Sequence, residues 1–360
     1  MARRKSRGKK IQPSVMTLNM PLPYNKDGKS HYIDISQVVS LVNRRFYRQG
    51  LQWAVGGFTL HTTATSGECH IFKVPQNWIT SNSWEKGFRL WQDMVKDSTS
   101  ESPSLKPKFM DFKIFADYTH QDLGVDNNML PASKNAFNNW TLANRGTWDM
   151  STIIVPDSNV PGTTKERDII AVGPNKYSTT GASGNYAVSL VEGYANSRAL
   201  PNLADPNMPD DAADAAGSAA ENWMQQLVND GIDQDAEVIQ EIVLSDNNTA
   251  PYPFEGSINP DTGVAYADTQ YPGGEGQLQN LEFHDQMNVT STTVSGKVTA
   301  QGGMFPCGLV KLYYSDALGK ATNDPSEDDY RSVLQIHLVP GTHRGYLAAD
   351  RDWETFHPVL

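Results

Sequence analysis

The chain has 360 residues and carries 30 Lys and Arg against 41 Asp and Glu, a formal charge of −11 at pH 7. Its 21 Pro and 28 Gly are too many for a helical bundle. Its two cysteines are too few for a disulfide framework, although a single bridge between Cys69 and Cys307 stays open. No stretch reaches the roughly 18 apolar residues of a membrane-spanning helix, so the composition favours a protein of many strands and long loops without a membrane span.

The chain opens on a short basic run, MARRKSRGKK, which contains no acidic residue. Residues 1–48 hold eleven Lys and Arg and two Asp and Glu, a net charge of +9, whereas the remainder is at −20. This asymmetry predicts an arm, residues 1–13, that contacts a polyanion while the acidic body repels it. The candidate nucleic-acid-binding residues of the arm are Arg3, Arg4, Lys5, Arg7, Lys9 and Lys10.

The composition of this arm also predicts how it binds. It lacks apolar residues between Arg3 and Lys10, so it cannot bury a core and is expected to be disordered until it meets its partner. No aromatic residue is interleaved, which favours contact with phosphates rather than with bases. A nuclear localisation signal or a merely solvated tail are the alternative interpretations, and nuclear import is compatible with nucleic-acid contact.

Residues 11–30 form an extended, proline-punctuated connection to the body, and a helix is predicted in IDISQVVSLVNRRFYRQG. Asp34 or Ser36 is the expected N-cap, and Gly50 the expected end. The helix has one apolar stripe, formed by Ile35, Val38, Val39, Val42 and Phe46.

Three further arginines, Arg44, Arg45 and Arg48, fall near the predicted end of this helix. Cations in the last turns complement the helix dipole, which is a structural explanation for them. A second phosphate-contacting patch explains them equally well, and both interpretations stay open at this point.

Strands alternate with a helix in residues 51–200. Aromatic and β-branched residues predict strands in LQWAVGGFTLHTT, GECHIFKVP, KFMDFKIFADYT, WDMSTIIVPD, RDIIAVG and NYAVSLVEGYA. A helix is predicted in SNSWEKGFRLWQDMVKD, where Trp84, Phe88, Trp91 and Val95 share one face. This aromatic stripe is expected to be core packing against the β body.

Residues 201–250 are acidic and Ala-rich, and they are predicted to be a helical insertion, with a capping box at Ser218 and Glu221. Strands return in LQNLEFHDQM, TSTTVSGKVTA, GLVKLYYSD and SVLQIHLVP. About ten strands without regular β-α-β alternation predict an all-β fold with inserted helices, an antiparallel β-sandwich covering residues 14–360.

The chain contains none of the common catalytic or nucleotide-binding motifs: no Walker loop, GxSxG, HExxH or CxxC. His337 in a strand pattern and His343 in a loop are expected to be a core and a solvated histidine rather than metal ligands. Calcium at an acidic loop is a minor alternative, because none has EF-hand spacing. These loops contain Asp210, Asp211 and Asp214; Asp233 and Asp235; and Glu327, Asp328 and Asp329. We therefore expect neither an enzyme nor a cofactor.

A basic arm followed by an antiparallel β body with elaborate loops resembles a viral capsid protein. Its sequence is similar to those of capsid proteins of small circular single-stranded DNA (CRESS-DNA) viruses. The similar stretches are MARRKSRGKK, SLVNRRFYRQGLQWAVGGFTL, DTQYPGG and FPCGLVKLYY. The resemblance implies a jelly roll of about eight strands in two facing sheets. It also implies self-assembly into an icosahedral shell, with the arm inside on a single-stranded DNA genome.

The expected partners are thus other copies of the chain and single-stranded DNA, with the host receptor left unspecified. The expected location is the virion, with the host nucleus as a site of assembly. Two alternatives share the sequence features: a non-viral nucleic-acid-binding scaffold protein, and a β-sandwich carbohydrate-active enzyme. The acidic 201–250 insertion departs from the most compact members of the capsid family.

Overall fold

The computed structural model describes residues 14–23, 25, 27–100, 104, 111–134, 140–156, 164–176, 187–197, 223–224, 280–316 and 330–349. They fall into two compact units. The first unit takes the described residues up to 73, those of 127–148 and those from 282 to 349; the second takes those of 74–126 and 149–281.

The strands are, in chain order, β1 (Thr17–Pro23), β2 (Lys29–Asp34), β3 (Gln52–Thr62), β4 (Gly67–Lys73), β5 (Ala132–Lys134), β6 (Trp140–Leu142), β7 (Thr152–Pro156), β8 (Thr164–Ile170), β9 (Ala187–Ser189), β10 (Glu282–Val289), β11 (Lys297–Phe305), β12 (Leu309–Ser315), β13 (Tyr330–Leu338), β14 (Pro340–Gly341), β15 (Gly345–Tyr346) and β16 (Ala348–Ala349). The α-helices of the described residues are α1 (Ile35–Asn43), α2 (Trp78–Ser98), α3 (Tyr118–Leu123) and α4 (Leu190–Asn196).

Two antiparallel sheets make up most of the first unit. The first sheet has the order β1-β13-β3-β11, with β16 also on β3, and the second has the order β10-β4-β12-β2. The eight long strands pair in a nested way: β1 with β13, β2 with β12, β3 with β11 and β4 with β10. The predicted antiparallel β-sandwich with inserted helices is confirmed at this level, since α2, α3 and α4 lie in the chain between β4 and β10.

One hydrophobic core joins the inner faces of both sheets. Strand β13 shows the alternation that builds it: Leu334 and Ile336 are buried, whereas Gln335 and His337 between them are partly exposed. A polar link also crosses between the sheets, where the hydroxyls of Tyr314 on β12 and Ser332 on β13 lie 2.6 Å apart. Each fully buried Leu or Ile contributes about 1.5–3 kcal/mol, so this core dominates the stability of the sandwich.

The predicted proline-rich connection over residues 11–30 is wrong for residues 17–23, which form β1, and for residues 29 and 30, which begin β2. Pro21 and Pro23 did not signal a strand, because proline cannot donate a ladder hydrogen bond. However, β1 is the edge strand of its sheet, and an edge strand tolerates proline.

The second unit contains α2, α3, α4 and a small sheet in which β7 pairs with β8 and β8 with β9. The strand predicted in KFMDFKIFADYT is wrong over its described part. Phe115 makes only an isolated bridge to Ile170, and α3 begins at Tyr118 after the N-cap Asp117. The strand predicted in NYAVSLVEGYA stops at Ser189, because the Ser189 side chain caps the start of α4.

The aromatic stripe of α2 is buried as predicted at Trp84 and Trp91, which are 2% and 5% exposed. Phe88 is half-buried between them, and the ring of Phe112 lies 5.3 Å from both indole rings. The covering ring of Phe112 therefore belongs to the second unit and not to the β-sandwich that was predicted to cover the stripe. The predicted insertion at 201–250 lies outside the described residues, except for the buried Trp223 and Met224.

The change Trp91→Ala should lower the free energy of unfolding by about 3–5 kcal/mol, because it removes a buried ring and leaves a cavity beside Phe112. Chemical denaturation measures this. The control is Arg89→Ala on the exposed side of α2, where only a surface pair with Glu85 is lost, at a cost of about 0.5 kcal/mol. Equal midpoints for the two variants would show that the stripe is not core.

Candidate nucleic-acid interface

The six predicted cations of the arm lie outside the described residues, but the point where the arm joins the body is described. The Ser14 hydroxyl donates to the carbonyl of Arg344 at 2.9 Å, and the Val15 amide donates to Asn43 Oδ1 at 3.1 Å. The Tyr346 hydroxyl donates to the Val15 carbonyl at 2.7 Å. The root of the arm is thus fixed between the end of α1 and the β14-β15 hairpin.

The predicted end of the first helix is wrong, and this relocates Arg44, Arg45 and Arg48. Helix α1 ends at Asn43, and Arg44 is its C-cap in the left-handed region with φ of 52°. The carbonyl of Ser40 accepts from the Arg44 and Arg45 amides. The three arginines therefore follow the helix on an exposed turn instead of lying in its last turns.

A buried tyrosine, Tyr47, holds this turn in place. Its ring lies 5.9 Å from that of Trp53 and 5.6 Å from that of Tyr346, both edge-on. Its amide donates to Ser40 Oγ at 2.9 Å, and its hydroxyl donates to the Arg344 carbonyl at 3.1 Å. Because Tyr47 points inward, the arginines on either side of it stay at the surface.

Arg344 is a further cation that sequence reasoning missed. It lies in the turn between β14 and β15, and its guanidinium donates to the carbonyl of Phe46. The same guanidinium lies 6.0 Å from the centre of the Tyr47 ring. The only sequence signal was the turn-like PGTHRG, which gives no partner. We call Arg44, Arg45, Arg48 and Arg344 the arginine patch.

Two members of the arginine patch have a backbone conformation that suits glycine. Of the described residues, four non-glycines have positive φ, and Arg44 and Arg344 are two of them, at 52° and 50°. The left-handed region costs an L-residue about 1–2 kcal/mol. Since glycine would avoid this cost, the backbone does not explain why arginine is present.

Four segments of the first unit, which include every member of the patch, have no carboxylate in their sequence. None of the 41 Asp and Glu of the chain falls in segments 14–26, 35–67, 127–148 and 330–349. The strands β1, β13, β3 and β11 of the first sheet are likewise free of Asp and Glu, whereas the second sheet contains Asp34, Glu68, Glu282 and Asp285. The first sheet and the arginine patch thus contribute no negative side chain of their own, and Asp34 of the second sheet is buried beneath the patch.

The outer surface of the first sheet is polar and uncharged at its centre. His337 bonds to the hydroxyls of Thr17 and Thr59 through its two ring nitrogens, at 3.4 and 3.0 Å. Next to this pair, Gln335 bonds to His61 at 3.1 Å and to Asn19 at 3.0 Å. These groups offer donors and acceptors without repelling an anion.

One buried carboxylate, Asp34, supports the patch from below. Its Oδ1 accepts from the Ser36 and Gln37 amides at the start of α1, at 2.9 and 3.2 Å. Its Oδ2 accepts from Gln49 Nε2 at 2.8 Å and Trp148 Nε1 at 3.2 Å. Burial raises the pKa of Asp34 to about 6, against the effect of these hydrogen bonds. The expected N-cap is confirmed, and it also ties the helix to the arginine turn.

The other predicted sites have separate outcomes. Cys69 and Cys307 are buried and not joined by a disulfide, and burial raises the pKa of the Cys69 thiol to about 12. His343 is half-buried, with its ring 6.1 Å from that of Tyr47.

The acidic loops named for calcium lie outside the described residues. Within the described ranges, no group of three or more His, Cys, Asp or Glu could hold a metal ion.

Comparisons with known proteins give no relative. No protein-family model, curated protein or solved structure matches the chain. In the described part of the chain, no helix is long and apolar enough to cross a membrane.

The variant Asp34→Asn should reveal the buried carboxylate through pH. Because the folded pKa is raised, Asp34 contributes most to stability below about pH 4, and this contribution is lost as pH rises through 6. The difference in unfolding free energy between the parent and Asp34→Asn should therefore change by on the order of 3 kcal/mol between pH 4 and 7, in the variant's favour as pH rises. Denaturation at several pH values measures it, with Glu282→Gln as the reference for a lost surface charge. A pH-independent difference would contradict the burial of this charge.

The variant Arg44→Gly should keep or raise stability, by up to about 1 kcal/mol, since glycine relieves the left-handed strain. Arg48→Gly is the matched control, because Arg48 has no positive φ and glycine there should cost about 0.5–1 kcal/mol of chain entropy. Thermal and chemical denaturation compare the two variants. A large loss of stability in Arg44→Gly would mean that the side chain itself holds the fold.

Proposed function

We propose that this chain is a viral capsid protein that assembles into a closed icosahedral shell and packages single-stranded DNA. We propose further that its sandwich is a jelly roll. The nested pairing of first with last, second with seventh, third with sixth and fourth with fifth long strand supports this, since a jelly roll folds a long hairpin of eight strands into two sheets.

The observation that carries the proposal is the arginine patch beside the root of the arm, in segments that contain no Asp or Glu. Ser14 and Val15, the first described residues after the arm, contact Arg344 and Asn43, and the six cations of the arm precede them in the chain. The arginine patch at this point would attract a polyanion. In a closed shell, this region would face the genome.

Shell formation would compensate for the weakness of a single arm. Six cations in one copy neutralise few phosphates, but many arms on one inner surface act at high effective concentration. The net charge of −11 makes copies repel each other, so neutralisation by nucleic acid would favour closure. The basic arm also suits nuclear import before assembly.

A non-viral nucleic-acid-binding scaffold is the second candidate, because the same arginine patch would serve it. A jelly roll alone does not decide between them, since lectin domains and cupins share that architecture with capsids. The two candidates differ in whether the protein closes into particles.

Purified full-length protein should form closed particles of uniform size when single-stranded DNA is added at moderate salt. Electron microscopy and light scattering detect them. In these particles a trypsin-like protease should spare the arm, whereas it should cut the arm rapidly in free subunits. A protein that remains in small oligomers with DNA would instead be a scaffold.

Deletion of residues 1–10 is the control for the role of the arm. The body should keep its unfolding midpoint, but DNA affinity should fall, and the slope of log affinity against log salt should become less steep by up to about 4. Scrambling the DNA sequence should change little. Unchanged binding by the truncated chain would assign the contact to the arginine patch alone.

A further inference from the structure

Phe46 is an exposed aromatic ring at the centre of the arginine patch. It is 46% exposed, although the next residue, Tyr47, is fully buried. Arg44, Arg45 and Arg48 lie within two residues of it in the chain, and Arg344 contacts its carbonyl. An apolar ring of this size is usually buried, and its place among cations calls for a ligand that combines negative charge with an apolar face.

The ring is held by its surroundings. The carbonyl of Phe46 is bound by Arg344, and the backbone beyond it is fixed by the buried Tyr47. The Phe46 ring lies 5.9 Å from the ring of Trp148, at an angle of 45°. Trp148 is buried and donates to Asp34, so the surface beneath Phe46 is itself anchored. A ring positioned in advance loses little freedom when it binds.

We infer that Phe46 stacks on an unpaired base of single-stranded nucleic acid while the arginine patch contacts the flanking phosphates. This rests on the proposed nucleic-acid function and adds a second mode of contact to it, since the arm has no aromatic residue among its first ten. Stacking selects single strands, because the faces of paired bases are covered by their neighbours, and it tolerates any base. The cations of the patch and the absence of Asp and Glu from residues 35–67 favour this polyanion over a protein partner.

The test uses the full-length protein and two oligonucleotides of equal length, oligothymidylate and a fully abasic analogue with the same phosphates. Fluorescence anisotropy should show that Phe46→Leu binds oligothymidylate roughly 5- to 100-fold more weakly, with an unchanged salt dependence. Binding to the abasic strand should match the parent. Phe46→Trp should retain or improve binding to oligothymidylate.

Phe283→Leu is the matched control. Phe283 on β10 is 49% exposed, and it lies in the chain between Glu282 and Asp285 instead of among arginines. This variant should bind both oligonucleotides like the parent. Unfolding midpoints of both leucine variants establish that the body remains folded.

Three results would overturn the inference. Equal losses on oligothymidylate and the abasic strand would mean that Phe46 only shapes the turn. Unchanged binding to both strands would mean that the ring does not touch DNA, and the proposed function would still stand if deletion of residues 1–10 weakens binding. A Phe46→Leu variant that binds DNA normally but fails to associate would assign the ring to a contact with a second copy. If the arm deletion also leaves DNA binding unchanged, the contact is left to the arginines of the patch, and the proposed function fails if the protein forms no closed particles with DNA.

Discussion

The pairing of β1 with β13 is the constraint on which the rest of the first unit depends. It joins residues that are 320 positions apart, with Thr17 opposite His337. This pairing turns Leu18, Met20 and Leu22 into the core and brings Ser14 against Arg344. A shift of one residue in the β1–β13 pairing would turn these three apolar side chains to the outer face. The hydrophobic pattern of β1 therefore fixes the register. The same register therefore decides where the basic arm leaves the body.

Local signals predicted elements well where the sequence pattern and the tertiary structure agree. Asp34 was expected to cap a helix, and the stripe from Ile35 to Val42 is buried or packed against the core. The stripe failed at Phe46, because α1 ends three residues earlier. Nothing local to RRFYRQG marks that end, since Arg44 occupies a position where glycine is usual. The turn is set by Tyr47, whose partner Tyr346 is about 300 residues away.

The arginine patch could be predicted only in part for the same reason. Arg44, Arg45 and Arg48 were candidates because they are close together in the chain, whereas Arg344 joins them only through the β14-β15 hairpin. Counting charge along the chain placed the basic region in residues 1–48. Folding brings Trp148 against the ring of Phe46 and Arg344 against its carbonyl. Asp34 of the second sheet lies beneath this region, but it is buried and hydrogen-bonded to Gln49 and Trp148.

The arginine patch also contains residues that do not favour the stability of the fold. Arg44 and Arg344 both accept a left-handed backbone, and Phe46 exposes an aromatic ring beside them. The compensating interactions lie directly beneath: the rings around Tyr47, and the hydrogen bonds of Gln49 and Trp148 to Asp34. Strain that is confined to two exposed turns and supported by a buried network is typical of a site whose side chains are needed at the surface. A partner would therefore meet the charges of Arg44 and Arg344 and the exposed ring of Phe46.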